Sequence, residues 1–213
     1  MKPGVDGGTK VGTMRAMNTP RGIVTCLPDV ACDELIGVAE VLIQERLPSF
    51  AVPVAVLGEL RAVFAARATL GAWQVSDVGQ LERAVDAGAD FVFADRFDGE
   101  LAGIAREAGV AVYASACTPT EVRSVLAGGA SGALLWPADI VGHTMAGHLA
   151  RVGLIDRVIP MGGLGAYAAS QWLESGAPAA AVDATLLGDA AAGGDLGQLR
   201  DRCGAFRKLQ PES

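Results

Sequence analysis

The feature that most constrains this chain is a repeated stop. Helical spacing over Leu81–Ala87 ends at Gly88, and the apolar run Phe91-Val92-Phe93 follows. Leu101–Ala108 ends at Gly109 and gives way to Val110–Tyr113. Glu121–Ala127 ends at Gly128-Gly129 before Ala133-Leu134-Leu135, and Ala166–Ser175 ends at Gly176 before Ala180-Ala181-Val182. A glycine after the last helical turn accepts the left-handed backbone that closes a helix. The stops recur roughly every 20–24 residues, the length of one helix plus one strand with short loops. Extending the rhythm places strands near 23–27, 49–55, 68–73, 90–94, 110–114, 132–136, 156–160 and 180–184. Eight alternating strand–helix units demand parallel strands, and within about 190 residues they fit an α/β (β/α)₈ TIM barrel. A doubly wound open sheet satisfies the same period.

Composition supports one domain. The 213 residues are 51% hydrophobic and 19% charged, with no break suggesting a second unit. Residues 1–20 carry no periodic pattern and read as a flexible N-terminal tail, leaving residues 21–213 as the barrel. Aromatic residues are only 5%, so Ala, Val and Leu must fill most of the core. The net charge of -7 and the lack of a Lys/Arg run argue against nucleic-acid binding. No long uninterrupted apolar run suggests a membrane span, and no apolar stretch follows the basic residues near Met1 as a signal peptide would require. Cys26, Cys32, Cys117 and Cys203 form no Cys-x-x-Cys motif and read as reduced thiols of a cytoplasmic protein.

Five short segments then carry a resemblance. Trp136-Pro137-Ala138-Asp139 is similar to the F-P-A-E that ends the sixth strand of the 2-keto-3-deoxy-6-phosphogluconate (KDPG) and 4-hydroxy-2-oxoglutarate aldolases. Pro160-Met161-Gly162-Gly163-Leu164 resembles their P-T-G-G-I, and Gly71-Ala72-Trp73-Gln74-Val75 their G-A-G-T-V. Ala184-Thr185-Leu186-Leu187 sits where they have G-S-W-L, and Leu81–Asp90 resembles the helix and turn before their fourth strand. The pieces keep their order from about residue 22 to 208. The resemblance implies a single-domain barrel, a site at the C-terminal ends of the strands, and a homotrimer. It also implies a Schiff-base lysine, a proton-moving glutamate and a carboxylate-binding arginine. Those positions fall on Leu134, Ala51 and Ala55 here. The chain has only Lys2, Lys10 and Lys208, two in the expected tail and one in the last helix. An imine needs a desolvated amine inside the pocket, and no strand supplies one.

The remaining polar groups at strand ends are the candidates for chemistry. Asp95 and Arg96 could serve as proton acceptor and anion anchor, or pair with each other on the rim. Asp139 and His143, four residues apart, could share a helix face as an oriented acid–base pair, or be a helix cap and a surface histidine. His148 falls on another face. Gly162 and Gly163 could offer N–H groups to an anion, with Thr185 adding a hydroxyl, or simply form a tight turn. Asp183, standing where the family has glycine, would repel phosphate. Cys26 and Cys117 read as buried hydrophobes or as nucleophiles. Trp73, Gln74, Leu134 and Trp136 would line the pocket. No metal or other cofactor is expected, because no His/Cys cluster has ligand spacing.

Two functions follow. One is an enzyme of altered chemistry, performing a lyase, isomerase or cyclase step on a small, partly apolar carbonyl or enol compound. Asp and His side chains would move protons without an imine, in specialised biosynthesis. The other is a non-catalytic ligand-binding or partner protein on the same scaffold.

Overall fold

A parallel strand flanked by helices must bury both of its faces, and the alternation within each strand divides the core into two layers. A computed structural model of the chain describes residues 19–64 and 66–211. Most of the expected tail, residues 1–18, lies outside the described residues. The strands are β1 (Gly22–Cys26), β2 (Ser49–Pro53), β3 (Thr69–Val75), β4 (Phe91–Ala94), β5 (Ala111–Ala116), β6 (Gly132–Leu135), β7 (Val158–Pro160) and β8 (Ala179–Val182). All neighbours pair in parallel in the order β7-β6-β5-β4-β3-β2-β1-β8. A parallel bridge between Met161 and Ala181 joins the two ends. The chain is a single-domain (β/α)₈ TIM barrel, and the open-sheet alternative is set aside by this closure.

The helices are α1 (Cys32–Gln44), α2 (Val54–Phe64), α3 (Val78–Asp86), α4 (Gly99–Ala108), α5 (Pro119–Ala127), α6 (Ala138–Val141), α7 (Thr144–Arg151), α8 (Ala166–Glu174), α9 (Ala184–Leu187) and α10 (Leu196–Arg207). Local chemistry starts several of them. Asp77 accepts from the Gln80 N–H at 2.8 Å, and Thr118 with Glu121 forms a reciprocal capping box at α5. Gly109, with φ at 64°, closes α4 in the left-handed conformation that the glycine rhythm implied.

Two boundaries differ from the sequence reading. The second strand stops at Pro53, and α2 begins at once with Val54. Ala55 therefore lies in the first turn of a helix and does not share a strand face with Ala51. Helical spacing wins because it buries Val56, Leu57, Leu60 and Phe64 on one face. The segment before β7 is a short 3₁₀ turn at Ile155–Arg157, so that strand starts later than its apolar run suggested.

Inside the barrel, Val24, Cys26, Ala51, Phe91, Phe93, Ala111, Tyr113, Leu134, Ile159, Met161, Ala179 and Ala181 form one buried cluster. Ile23, Phe50, Val52, Leu70, Val92, Val112, Leu135 and Val182 face outward into the layer shared with the helices. The aromatic rings of the interior come from adjacent strands: Phe93 meets Phe91 at 5.0 Å and the edge of Tyr113 at 5.9 Å between centroids. Space for them is left by glycine. A Cβ on Gly71 would collide with the Phe91 ring, and one on Gly132 would lie 2.7 Å from Tyr113. At the N-terminal end of the barrel, Arg61 donates to the Asp90 carboxylate at 2.7 Å and to the Gly88 and Leu70 carbonyls at 2.6 and 3.0 Å. The same carboxylate accepts the Leu70 N–H at 2.9 Å, which ties α2 to β3 and β4.

The packing predicts that Gly71→Ala lowers stability by about 1–3 kcal/mol through overpacking against Phe91. Urea denaturation measures this, and Phe91→Leu in the same background should recover part of the loss. A Gly71→Ala protein as stable as the parent would refute this account of the interior.

Candidate functional site

The C-terminal ends of the strands form a mouth, and a bulge in β3 shapes it. Ala72 pairs with Val92 and Val75 with Ala94, so β3 carries one residue more than β4 between those points. Gln74 absorbs the extra residue with a φ of 57°. Such a bulge re-aims neighbouring side chains. Trp73 turns inward, and its Nε1–H donates to the Leu27 carbonyl at 3.0 Å. The half-buried indole lies between the ends of β3 and β1.

Trp73 borders two cavities of the mouth and a larger one, of about 540 Å³, that lies between α2 and α3 and takes in Asp29, Arg83 and Asp86. A front cavity of about 390 Å³ is lined by Trp73, Gln74, Asp95, Ser115, Leu134, Trp136 and Met161. A rear cavity of about 360 Å³ is lined by Cys26, Pro28, Val30, Trp73, Asp183, Ala184, Leu187, Gly188, Ala191 and Ala192. Both volumes fall within the range of small-molecule sites.

Among the described residues, Asp95 is the single charged group of the front cavity. It follows β4, held by its N–H donating to the Val75 carbonyl at 2.9 Å. Loss of solvent around its carboxyl raises its pKa above the ordinary aspartate value. Leu134, at the position where the aldolase resemblance expects the lysine, is buried in the same wall. Lys208 lies at the opposite end of the barrel: it follows α10, and Gln210 just beyond it exchanges hydrogen bonds with Ile23 at the start of β1. Lys2 and Lys10 lie outside the described residues. Sequence reasoning missed Ser115. The inward alternation Ala111, Tyr113, Ser115 along β5 would have found it. Its Oγ donates to the Ala94 carbonyl at 3.3 Å.

Among the described residues, Asp183 is the single charged group of the rear cavity. Its Oδ2 accepts from the Gly163 N–H at 3.4 Å. The glycine turn thus faces a carboxylate from its own chain. Thr185 does not point a free hydroxyl at that turn, since its Oγ1 donates to the Leu164 carbonyl at 2.6 Å. The Cys26 thiol is buried, and burial together with the nearby Asp183 charge drives its pKa upward. It is therefore a neutral thiol, and a thiolate nucleophile is disfavoured there.

Five other residues weighed from the sequence are placed outside both cavities. Arg96 donates to the Ser76 carbonyl at 2.6 Å and pairs with Asp98 at 3.2 Å, not with Asp95. Asp139 accepts from the Ile140 N–H at 2.9 Å and packs beside Gly163, where a Cβ would meet its Oδ2 at 2.6 Å. His143 begins α7 after Gly142, whose φ of 80° breaks the helix that would have put Asp139 and His143 on one face. No hydrogen bond joins them, and the imidazole meets the edge of Tyr167 at 5.5 Å. His148 bonds Arg151 at 2.7 Å on the surface. Cys117 gives its N–H to Glu121 at 2.8 Å and lines neither cavity. Among the described residues, no group of three or more His, Cys, Asp or Glu side chains could hold a metal ion, and no helix is long and apolar enough to cross a membrane.

A closed barrel with ligand-sized cavities at its mouth defines the class as a (β/α)₈ barrel protein. The KDPG and KHG aldolase family matches residues 23–199, and the chain belongs to that family. Its fold and family are those of an aldolase-like enzyme. Among solved structures it is similar to a native KDPGal structure, at 20% identity and a TM-score of 0.79 over 92% of this chain and 97% of that one. It is also similar to the 4-hydroxy-2-oxoglutarate/KDPG aldolase from TTHB1, at 26% identity and a TM-score of 0.73 over 88% of this chain and 93% of that one. The KDPG aldolase from Zymomonas mobilis ATCC 29191 matches at 17% identity and a TM-score of 0.72, over 89% and 94% of the two chains. No curated protein sequence matches the chain.

The raised pKa of Asp95 has a stability consequence. The folded state holds this proton more tightly than the unfolded state does. The contribution of Asp95 to stability is therefore full below the ordinary aspartate value of about 3.9 and is lost as pH rises through the folded-state value. Asp95→Asn removes that loss. The variant should melt at or above the parent temperature near neutral pH, with the gap narrowing in acid. Calorimetry across pH checks this, and a variant less stable than the parent at neutral pH would contradict it.

Proposed function

We propose that this protein is an enzyme that moves a proton next to a carbonyl, on a small and partly apolar carbonyl or enol compound, without forming an imine. The observation that carries this reading is Asp95, the sole charged group in a cavity it shares with Leu134, Met161 and two indoles. Its raised pKa brings a carboxyl closer to neutrality, where it both accepts and returns a proton. The Asp95 carboxylate removes a proton from the carbon beside the carbonyl, and the C–H electron pair passes into the enolate. The resulting carboxylic acid then returns the proton to another atom of the same compound. The Gln74 amide lies in the same wall as a donor for the enolate oxygen. Where the enolate collapses decides between a lyase, isomerase or cyclase outcome, a range that suits specialised biosynthesis. Asp139 and His143 take no part in this step, because neither lines the cavity. An open front cavity, not one filled by Trp73 and Trp136, favours the enzyme over a non-catalytic binding protein. The protein works in this reading as a cytoplasmic homotrimer, without a metal or other cofactor.

Proton–deuterium exchange tests the reaction. In D₂O, NMR of a panel of small apolar ketones and 1,3-dicarbonyls should reveal enzyme-dependent label at the carbon beside the carbonyl. Asp95→Asn should slow it by about 10²-fold or more, while His143→Ala leaves it within about twofold. Borohydride with pyruvate should trap no adduct on the parent protein. Exchange that survives in Asp95→Asn, or a stable adduct inside the barrel, overturns the mechanism; no exchange with any compound favours the binding-protein reading.

The trimer has a separate readout. Ile140 and Tyr167 are 81% and 69% exposed near the mouth, an apolar surface suited to contact between subunits. Light scattering should give a mass near three times the 21.7 kDa chain. A monomer mass would retire this part of the reading.

A further inference from the structure

The charge lining the front and rear cavities is of one sign. Among the described residues, Asp95 is the only charged residue of the front cavity and Asp183 the only one of the rear, and no Lys, Arg or His lines either. Arg96, the nearest cation in sequence to Asp95, is held on the rim by Ser76 and Asp98. The Gly163 N–H, which could have met an incoming anion, is directed at Asp183 at 3.4 Å. An anionic ligand entering the rear cavity therefore meets a carboxylate and no compensating donor charge. The rest of its wall is apolar: Pro28, Val30, Leu187 and Ala191 surround it. Trp73 completes the wall beside Asp183, its indole pinned by the bond to Leu27. Cys26, 2% exposed, adds a thiol that lines the same space. A carboxylate, an oriented indole and a polarisable sulfur around an apolar space are the groups that hold an organic ammonium: the carboxylate by charge, the indole by its negative face.

We propose that the rear cavity seats the cationic end of an amine-bearing apolar ligand, with its ammonium held by Asp183 and Trp73, so that the mouth selects organic cations and rejects anions. The proposal takes from the preceding section only that the mouth is where the ligand binds; it does not depend on proton transfer by Asp95. The indole divides the labour. Asp183 and Trp73 fix the amine behind it, and the remainder of the ligand reaches the front cavity past the edge of Trp73.

Titration calorimetry on the full chain tests this with four probes: phenethylamine, its neutral counterpart 2-phenylethanol, 3-phenylpropionate and inorganic phosphate. The amine should bind about tenfold or more tightly than the alcohol, and the two anions should give no heat. Asp183→Asn, which keeps the side chain's shape, should bring amine and alcohol within about twofold of each other. Trp73→Leu should weaken the amine more than the alcohol. Binding heat is read without turnover, which separates this proposal from the role of Asp95 in proton transfer. Three results would overturn it: an anion binding as tightly as the amine, a preference that survives Asp183→Asn, or no amine binding up to roughly 10 mM. Should Asp183→Asn fail to fold, the ranking of the four probes on the parent protein decides.

Discussion

Closing eight parallel strands on themselves creates an interior that only inward side chains can fill, and this chain fills it unevenly. Phe91, Phe93 and Tyr113 stand on two neighbouring strands and contact one another ring to ring. Their bulk is matched by the absence of side chains next door, at Gly71 and Gly132, and by small Ala51, Ala111, Ala179 and Ala181 around the rest of the interior cluster. Large against small is how a close-packed interior avoids both voids and strain. With the lower interior settled in this way, the residues one layer higher are free of that packing demand. Trp73, Asp95, Ser115, Leu134 and Met161 line space instead of filling it.

The bulge in β3 is the second determinant of the mouth. Without the extra residue, the regular alternation of a strand would send Trp73 and Gln74 to opposite faces. With Gln74 in the left-handed region, both reach the front cavity, and the indole is anchored to Leu27 across β1 and β2. One tryptophan thereby separates two carboxylates into two chemical settings. Asp95 shares its cavity with another indole, an amide and a hydroxyl, and desolvation favours its protonated form. Asp183 faces the glycine turn and an otherwise apolar space. Two aspartates in one mouth can thus take different roles, because each meets different neighbours.

Much of this was legible in the chain. The glycine stops located all eight strands to within a few residues, because a left-handed cap is a local requirement that glycine meets with the least strain. The family motifs located the strand ends and named Leu134 and Trp73 as lining residues, and the rule that such sites form at C-terminal strand ends named Asp95. The failures share a cause. Asp139 and His143 were paired on helical spacing, but Gly142 interrupts the helix between them. Arg96 was offered as an anion anchor, but its guanidinium turns to Ser76 and Asp98. Thr185 was offered to an anion, but its hydroxyl goes to Leu164. In each case the position was sound and the partner was not, since a side chain's partner is chosen by groups distant in sequence.

What the amino-acid sequence determined by itself is the alternation of elements, the positions of the strand ends and the scarcity of lysine. Those depend on local backbone preferences, on hydrophobic period and on a count. The tertiary structure decided that the mouth is divided and that each division holds one carboxylate. It also decided that the glycine turn faces Asp183. These depend on contacts such as Trp73 with Leu27, 46 residues apart, and Gly163 with Asp183, 20 apart. Only closure of the barrel brings such groups within hydrogen-bond range, which is why no local pattern announces them.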